Sequence, residues 1–319
     1  MIKILLASLL LLAPQSVESP DNYLTITQHG QKIITMNRED FMMPLPGTPL
    51  INEEKYEQFI ETIDTKVYQE PQNAMINDLG GIAKEQVGYR LDRQLFREYF
   101  YKYFFSNGPS EVEAPLMEIY PKVDSELLSQ IRVQQIGQYA TYFNSYNKSR
   151  SHNIFLAAQA VDNHVVFPNE TFSFNKVVGK RTTERGYLRA PIIVSGELAE
   201  GVGGGICQVS STLFNAVDRA GLKIVERYSH SRKVPYVPPR RDATVSWYGP
   251  DFRFQNQYNQ PILIRAKRYG GMMVVKLYSS DVINYEPKVV PNAPSELPKE
   301  IHIEHEIHRS LRIEPSFLK

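Results

Sequence analysis

The chain's one cysteine, Cys207, lies in GVGGGICQVSSTLFNAVDRAGL (Gly201–Leu222). Gly201, Gly203, Gly204 and Gly205 precede it, a backbone suited to unusual dihedrals or to close approach of a ligand. After it, Val209, Leu213, Ala216, Val217 and Ala220 recur at helical spacing. That pattern predicts an amphipathic helix ended by Gly221 at the C′ position. Cys207 then falls in the first helical turn or just before it. The free amides and positive dipole end of a helix N-terminus favour an anion. A thiol there ionises more readily, and the thiolate is the nucleophile. Amides of Gly203, Gly204 and Gly205, with the Gln208 side chain, could hold the oxyanion formed when the thiolate attacks a carbonyl. A phosphate cradle is the competing use of such a loop. It needs Lys followed by Ser or Thr after the last glycine, and Ile206-Cys207 stands there instead.

A cysteine nucleophile needs a base within hydrogen-bond reach. Among seven histidines, His230 is the best placed, because the apparent strand Leu222–Tyr228 leads back from the cysteine helix. Asp242 is a candidate to orient its imidazole as the third member of a triad. The plainer readings are a structural turn histidine and a strand-cap aspartate. His29 sits in a hairpin turn, His152 and His164 flank a short helix, and His302, His305 and His308 lie in a polar tail. Arg181, Arg185, Arg189 and Arg241 are candidates for pairing with substrate carboxylates, since arginine's fork suits bidentate contacts. Their plainer reading is solvated surface charge. Ser210 and Ser211, just after the cysteine, join the substrate-binding candidates.

These residues must be carried by a chain of 319 residues, long enough for one large or two modest domains. Lys+Arg 36 against Asp+Glu 35 gives a net charge of +1, which offers no global attraction to nucleic acid. One cysteine excludes an internal disulfide framework and any cysteine-cluster metal site. No metal or organic cofactor is suggested. Residues 1–19 carry one early basic residue, Lys3, and an apolar run from Ile4 to Ala13. That is the length of a signal-peptide core and too short to span a membrane. The expectation is an exported protein, with the leader cleaved or retained as an anchor.

Leu24–Phe41 alternates apolar and polar residues around His29-Gly30 and predicts a hairpin; with a breaker-rich linker it fills residues 20–49. Tyr56–Pro71 predicts a helix, short extended pieces follow over Asn73–Tyr89, and Leu91–Phe105 predicts a second helix. Its expected inner stripe is Leu91, Leu95, Tyr99 and Tyr103. Ile136–Asn144 reads as a strand and Asn153–Asp162 as a short helix capped by Asn153 or a neighbour. His164–Asn175 reads as two strands around a Pro-Asn turn, and Val245–Ser280 as a run of strands. The segment 285–319 reads as a solvated tail or an extended arm.

Two resemblances organise these pieces. Residues 50–123 resemble the domain, assigned a peptidoglycan-binding role, that often precedes a VanW domain. The matching features are the first helix, Pro71 with Ala74, Gly88-Tyr89-Arg90-Leu91-Asp92 and Pro121-Lys122-Val123. Residues from roughly 147 to 278, within a domain read as 124–284, are similar to the VanW domain itself. The motifs are Asn153-Ile154, Pro168–Asn175, Gly179–Thr182, Arg185–Pro191, Gly203–Ala216, Ala220–Leu222, Arg227–Ser231 and Tyr236–Val245. Two positions depart from the family pattern. Asn169 stands where Gly usually follows the proline, and Arg240 where a glycine often precedes Arg241-Asp242. If that glycine serves close substrate approach, substrate preference would differ.

The resemblance implies a cell-envelope role. Members of the family have been linked to L,D-transpeptidation of peptidoglycan with the motif cysteine as nucleophile. It therefore implies catalysis by Cys207, with peptidoglycan stem peptides as the partner, and no nucleic acid or metal. The roles of His230 and Asp242 come from residue type and spacing. A non-catalytic wall-binding module, with Cys207 buried, is the main rival; a wall cysteine peptidase or carboxypeptidase is the second. The expected fold class is α+β. An N-terminal α+β module precedes a mainly antiparallel β domain packed around the cysteine helix.

Overall fold

A computed structural model of the chain describes residues 22–44, 47, 49–194 and 197–297. The leader and the histidines at 302, 305 and 308 lie outside the described residues. Helices and strands alternate along the chain in an α+β fold. The described residues divide into two compact units, the first within 22–73 and 85–122, the second within 74–84, 123–194 and 197–297.

In the first unit, the strands Tyr23–Gln28 and Gln31–Asn37 pair antiparallel. His29 and Gly30 between them take φ of 52° and 72°. Two consecutive left-handed residues are what a tight type I′ hairpin turn requires. The strand Ser110–Glu113 adds in parallel beside Tyr23–Gln28. Helix α1 (Glu53–Val67) buries Tyr56, Phe59, Ile60, Ile63 and Val67. Helix α2 (Arg93–Phe104) buries Phe96, Phe100, Tyr103 and Phe104. Tyr103 is buried as expected, but the rest of the inner face of α2 is displaced by one position, to Phe96 and Phe100. Leu91 is buried, but from the strand Gly88–Leu91 that precedes the helix, and Tyr99 faces solvent. The hairpin shares this aromatic core, so it is part of the unit rather than a preface to it.

Residues 74–84, read within the 50–123 stretch, join the second unit. Their two-residue strands Met75–Ile76 and Ile82–Ala83 pair with each other. Ile76 exchanges hydrogen bonds with the Asn163 side chain at 2.8 and 3.1 Å. Ala74 and Ile76 are buried with Leu128, Ile131, Val165 and Leu263.

Around that edge the second unit is built on a four-stranded antiparallel sheet. Its order is Gln134–Tyr142, Met272–Ser279, Ile262–Tyr269, His164–Val166. Helices α3 (Ser125–Ile131), α4 (Lys148–Val161), α5 (Phe174–Val178) and α6 (Ile206–Arg219) complete the unit. A smaller sheet joins Thr171–Ser173, Arg253–Gln255 and Lys223–Glu226, and a separate ribbon pairs Arg189–Val194 with Glu197–Val202. The two strands expected around Pro168-Asn169 thus form but enter different sheets. Asn169 takes φ 65°, the left-handed conformation that asparagine tolerates.

Helix α6 is the centre of this unit. Val209, Leu213, Ala216, Val217 and Ala220 are all buried, and Gly221 leaves the helix at φ 76°. Gly137 lets α6 lie close to the sheet, since a Cβ there would meet the Ala216 carbonyl at 2.6 Å. The polar face of α6 is buried too, through Gln208, Ser210, Ser211, Thr212 and Asn215. The chain past Tyr285 begins as a docked arm rather than a solvated tail. Val290 is buried, Arg219 donates to its carbonyl at 2.7 Å, and Tyr139 donates to Pro291 O at 2.9 Å.

Helix α4 starts six residues earlier than Asn153-Ile154 suggests. Asn147 caps it by accepting from Arg150 N at 3.0 Å. Asn153 is instead fully buried within the helix. Its amide donates to Leu188 O at 2.9 Å and Gly204 O at 3.0 Å, and its oxygen accepts from Leu188 N at 2.8 Å. This side chain ties the glycine turn to α4. Asn153→Ala removes all three bonds, and although Leu188 O keeps the Gly203 amide, Gly204 O and Leu188 N lose this partner, so we expect a loss of about 2 kcal/mol in urea unfolding. A loss below ~1 kcal/mol would show that the turn is held by other contacts.

Candidate active site

Among the described residues, five of the six α-helices begin with a side-chain cap. Asn52, Asp92, Asp124, Asn147 and Ser173 each accept an amide of the first turn. Helix α6 begins at Gly205, which takes φ 105° and has no side chain to offer. Ile206 N and Gln208 N turn back to Gly203 O and Gly205 O. Among the described residues no backbone acceptor takes the Cys207 amide between them. The helix that carries the thiol is thus the one whose positive end is left open.

The glycines that shape this start are fixed by packing. Gly203 takes φ 86°. A Cβ on Gly204 would meet the carbonyls of Ala190 and Pro191 at 2.6 Å, and one on Gly205 would meet Arg150 Cγ at 2.9 Å. Both the close-packing and the open-amide readings of the loop therefore have a basis in the same turn. The Gln208 side chain does not face the thiol. Its amide donates to Thr141 Oγ1 at 2.9 Å and Tyr142 O at 3.1 Å, and its oxygen accepts from Arg150 at 2.8 Å. Both amide protons are spent on the sheet strand, so the expected side-chain oxyanion donor is not available.

Ser210 and Ser211 bind protein, not the cleft. Ser210 Oγ donates to Ala243 O at 2.5 Å, Ser211 Oγ donates to Cys207 O at 2.6 Å, and the Ala243 amide donates to Ser211 Oγ at 2.9 Å. These bonds lay the segment Asp242–Val245 against the first turns of α6. Tyr228 and Thr244 then pair as an antiparallel bridge, which brings the return strand alongside. Arg227 adds a hydrogen bond to Asp242 O at 2.7 Å.

The result places Cys207, His230 and Asp242 together. Asp242 Oδ2 accepts from the backbone N of His230 at 2.6 Å and from its Nδ1 at 2.7 Å. The carboxylate fixes the proton on Nδ1, and the ring lies close enough to Cys207 for each to shift the other's ionisation. Cys207 Sγ also lies 3.8 Å from Thr244 Oγ1 and 3.6 Å from Val245 O. The side chains of His230 and Asp242 are 7% and 8% exposed, so the pair is shielded from bulk water.

Electrostatics follow from this packing. Burial pushes the Cys207 thiol up, but the hydrogen bond and charge of His230, with the Val245 backbone and Thr244, bring it below the ordinary range. Burial pushes His230 down, and its bonds to Asp242 and Cys207 overcome this and raise it to about 9. Burial raises Asp242 as well, yet the His230 hydrogen bonds hold its carboxyl low. All three shifts favour an ion pair of thiolate and imidazolium beside an ionised carboxylate.

A cleft of about 870 Å³ opens over the thiol. Arg150, Lys180, Arg181, Arg189, Arg232 and Lys233 line it, against the carboxylate of Glu200. Arg181 is desolvated and feels the Cys207 charge, while its Nη1 is held by Asn175 Oδ1 at 2.8 Å and Gly179 O at 3.1 Å. Arg189 reaches Glu200 O at 2.9 Å. The two other arginine candidates are elsewhere. Arg185 donates to Lys180 O at 2.9 Å, and Arg241 binds Asn215 Oδ1 and Asp218 Oδ2, each at 2.8 Å, over the Phe214 ring. Neither lines the cleft. Arg240 is exposed at φ 65° and also lies off the cleft, so a glycine at that position serves the backbone turn rather than substrate approach.

Sequence reasoning missed several cleft residues. Tyr236 is buried beside the thiol; burial first, then the Cys207 charge, push its hydroxyl far up, so it remains a neutral donor. Thr244 touches the sulfur. The family motif Tyr236–Val245 contained both, but nothing in their spacing distinguished them from strand residues. Among the described residues no group of histidine, cysteine, aspartate and glutamate side chains has the makings of a metal site. No helix among them is long and apolar enough to cross a membrane.

The thiolate pair predicts an alkylation profile. An ordinary thiol with pKa about 8.5 gains roughly twentyfold in thiolate between pH 7 and 9. We expect iodoacetamide to modify folded wild-type protein at pH 7, with a rise of less than about threefold to pH 9. His230→Gln should react more slowly at pH 7 and regain the steep rise. A steep wild-type profile, or reaction only in denaturant, would contradict the ion pair.

A family model described as VanW like protein matches residues 149–278. The chain is 68% identical over 304 residues to the uncharacterized protein YoaR of Bacillus subtilis, covering 95% of this chain and 100% of that one. It is 30% identical over 117 residues to the vancomycin B-type resistance protein VanW of Enterococcus faecalis, covering 35% of this chain and 42% of the relative. No solved structure matches it. With the cysteine helix, its glycine turn and the Asp242 segment all inside the matched region, the chain belongs to the VanW family.

Proposed function

We propose that this protein is an exported cysteine acyl-transferase acting on peptidoglycan stem peptides, in the manner of an L,D-transpeptidase. The observation that carries the reading is the Cys207–His230–Asp242 array beneath a cationic cleft. The vancomycin-resistance relative supports a cell-wall setting. Resemblance of the first unit to a peptidoglycan-binding domain supports wall contact there.

In this reaction Cys207 Sγ attacks the carbonyl that joins the third stem residue to a terminal D-Ala. The Cys207 amide at the open helix end faces the developing oxyanion. The C–N bond breaks as His230 Nε2 gives its proton to the leaving amine, and a thioester remains. An amine of a neighbouring stem then attacks the thioester, loses its proton to His230, and expels the Cys207 thiolate. The product is a 3–3 cross-link. Water in place of the amine gives carboxypeptidase action. Arg181 and Arg189 supply positive charge for the carboxylates of the stem.

The test uses leaderless protein and Cys207→Ala with disaccharide-tetrapeptide substrates, followed by mass spectrometry. We expect cross-linked dimer, or exchange of the terminal D-Ala for an added D-amino acid, from wild type alone. His230→Ala should lower the rate by about 10²–10⁴-fold. Release of D-Ala without transfer would redefine the enzyme as a carboxypeptidase. Equal binding by both proteins with no product from either would establish a wall-binding module instead.

A further inference from the structure

Two residues beyond the thiol's own contacts, the chain makes a turn with no role in the catalytic array. Ser246 accepts from Gly249 N at 3.3 Å, and its own N donates to Pro250 O at 2.8 Å. Trp247 and Tyr248 occupy the two central positions. The Asn175 amide bonds Ser246 O at 2.9 Å and Pro250 O at 3.1 Å, so one side chain pins both ends of the turn. The same Asn175 holds Arg181 through its oxygen.

This rigid turn keeps two large aromatics in water. Trp247 is 42% exposed and Tyr248 is 85% exposed, and both line the cleft. Trp247 is the single tryptophan of the chain, and the core of the second unit is aliphatic with phenylalanine and tyrosine. Holding the Tyr248 ring out of the core forgoes most of the about 1.5–3 kcal/mol that full burial of a large side chain contributes. The Lys180 ammonium sits 5.2 Å from the Tyr248 ring, and both aromatics share the cleft lining with the charged side chains of Arg181 and Arg189. A concave lining that pairs flat apolar faces with hydrogen-bond donors suits a ligand with an apolar face and polar edges. A pyranose ring has that form. A bilayer, by contrast, calls for a broad convex apolar band, and this rim is charged and concave.

We infer that Trp247 and Tyr248 form a sugar subsite, which stacks the glycan ring that bears the stem peptide. The inference rests on the proposed reaction for its substrate and deepens it. Val245 touches the thiol, and Trp247 lies at most roughly 7 Å further along the chain. The three stem residues between sugar and scissile bond span on the order of 10 Å when extended. The cleft volume, near the upper end of small-ligand sites, leaves room for both parts. The site thus distinguishes stems attached to glycan from free peptides.

Two measurements test this. In the first, kcat/KM is compared for a disaccharide-tetrapeptide and the same free tetrapeptide. Wild type should favour the disaccharide form by about fivefold to tenfold, the size of one aromatic stacking contact. Trp247→Ala should abolish the preference, and Trp247→Phe should retain most of it. Equal rates on both substrates, or a preference that survives Trp247→Ala, overturns the subsite. In the second, peptide-free disaccharide is titrated into Cys207→Ala while the emission of Trp247 is recorded. A saturable shift supports the subsite even if no turnover is found, which separates its fate from that of the proposed reaction. No shift with disaccharide, or a shift only with anionic phospholipid vesicles, overturns it.

Discussion

Everything around the thiol depends on a hydrogen-bonded seam between the first turns of α6 and the segment Asp242–Val245. Ser210 and Ser211 are fully buried and bond Ala243 through its carbonyl and amide. Each bond contributes about 1 kcal/mol net, but losing one leaves a buried polar group unpaired, which costs more. The seam sets where Asp242 begins. Asp242 sets the tautomer and direction of His230 through two bonds to one oxygen. His230 in turn sets the ionisation of Cys207. Removing the seam would therefore act on the thiol through two intermediates, without touching it.

The seam also explains why α6 tolerates a buried polar face. Gln208, Ser210, Ser211, Thr212 and Asn215 would each be a liability in an apolar core. Gln208 and Thr212 bond the sheet strand, through Thr141 in both cases. Asn215 donates to Arg241 O at 2.8 Å and accepts from the Arg241 side chain. Every one of these groups is satisfied, and between them they hold Thr141, Ala243 and Arg241 to the helix. One of the four arginines expected to bind substrate belongs to this scaffold. Arg241 is engaged by Asn215, Asp218 and Phe214 on the flank of α6 away from the cleft.

Much of the site was legible because it is local in the chain. Periodicity from Val209 to Ala220 and the stop at Gly221 located α6, and the glycine run located its uncapped start. His230 and Asp242 were reachable by residue type and by the returning strand. What spacing could not convey is where a polar side chain is spent. Gln208 is one residue from Cys207, yet it points into the sheet. Ser210 and Ser211 look accessible in sequence and are sealed by Ala243. Asn153 resembles a helix cap and is instead a buried tie to Gly204. The same limit applies to α2, where spacing of four chose Tyr99 and the aromatic core took Phe96 and Phe100. Burial on every side of a segment is a tertiary property, and it leaves no period to read.

The resting charges also impose an order on the proposed chemistry. With the His230 pKa near 9, the imidazole is protonated before substrate arrives. The thiolate then needs no base for its attack. What it needs is an acid, because the amine leaving the stem is a poor leaving group until it gains a proton. The imidazolium supplies that proton and becomes neutral only when the thioester has formed. At that point the positive charge beside the sulfur is gone, and the site contains a base suited to an incoming amine. Return of the proton from that amine restores the imidazolium as the thiolate departs. Asp242 keeps the imidazole in one orientation through both transfers, while the open amide of Cys207 stays in place for each tetrahedral intermediate. A pair that rested neutral would have to spend its first step making the nucleophile; this one begins with the acid loaded and its charge favouring the thiolate.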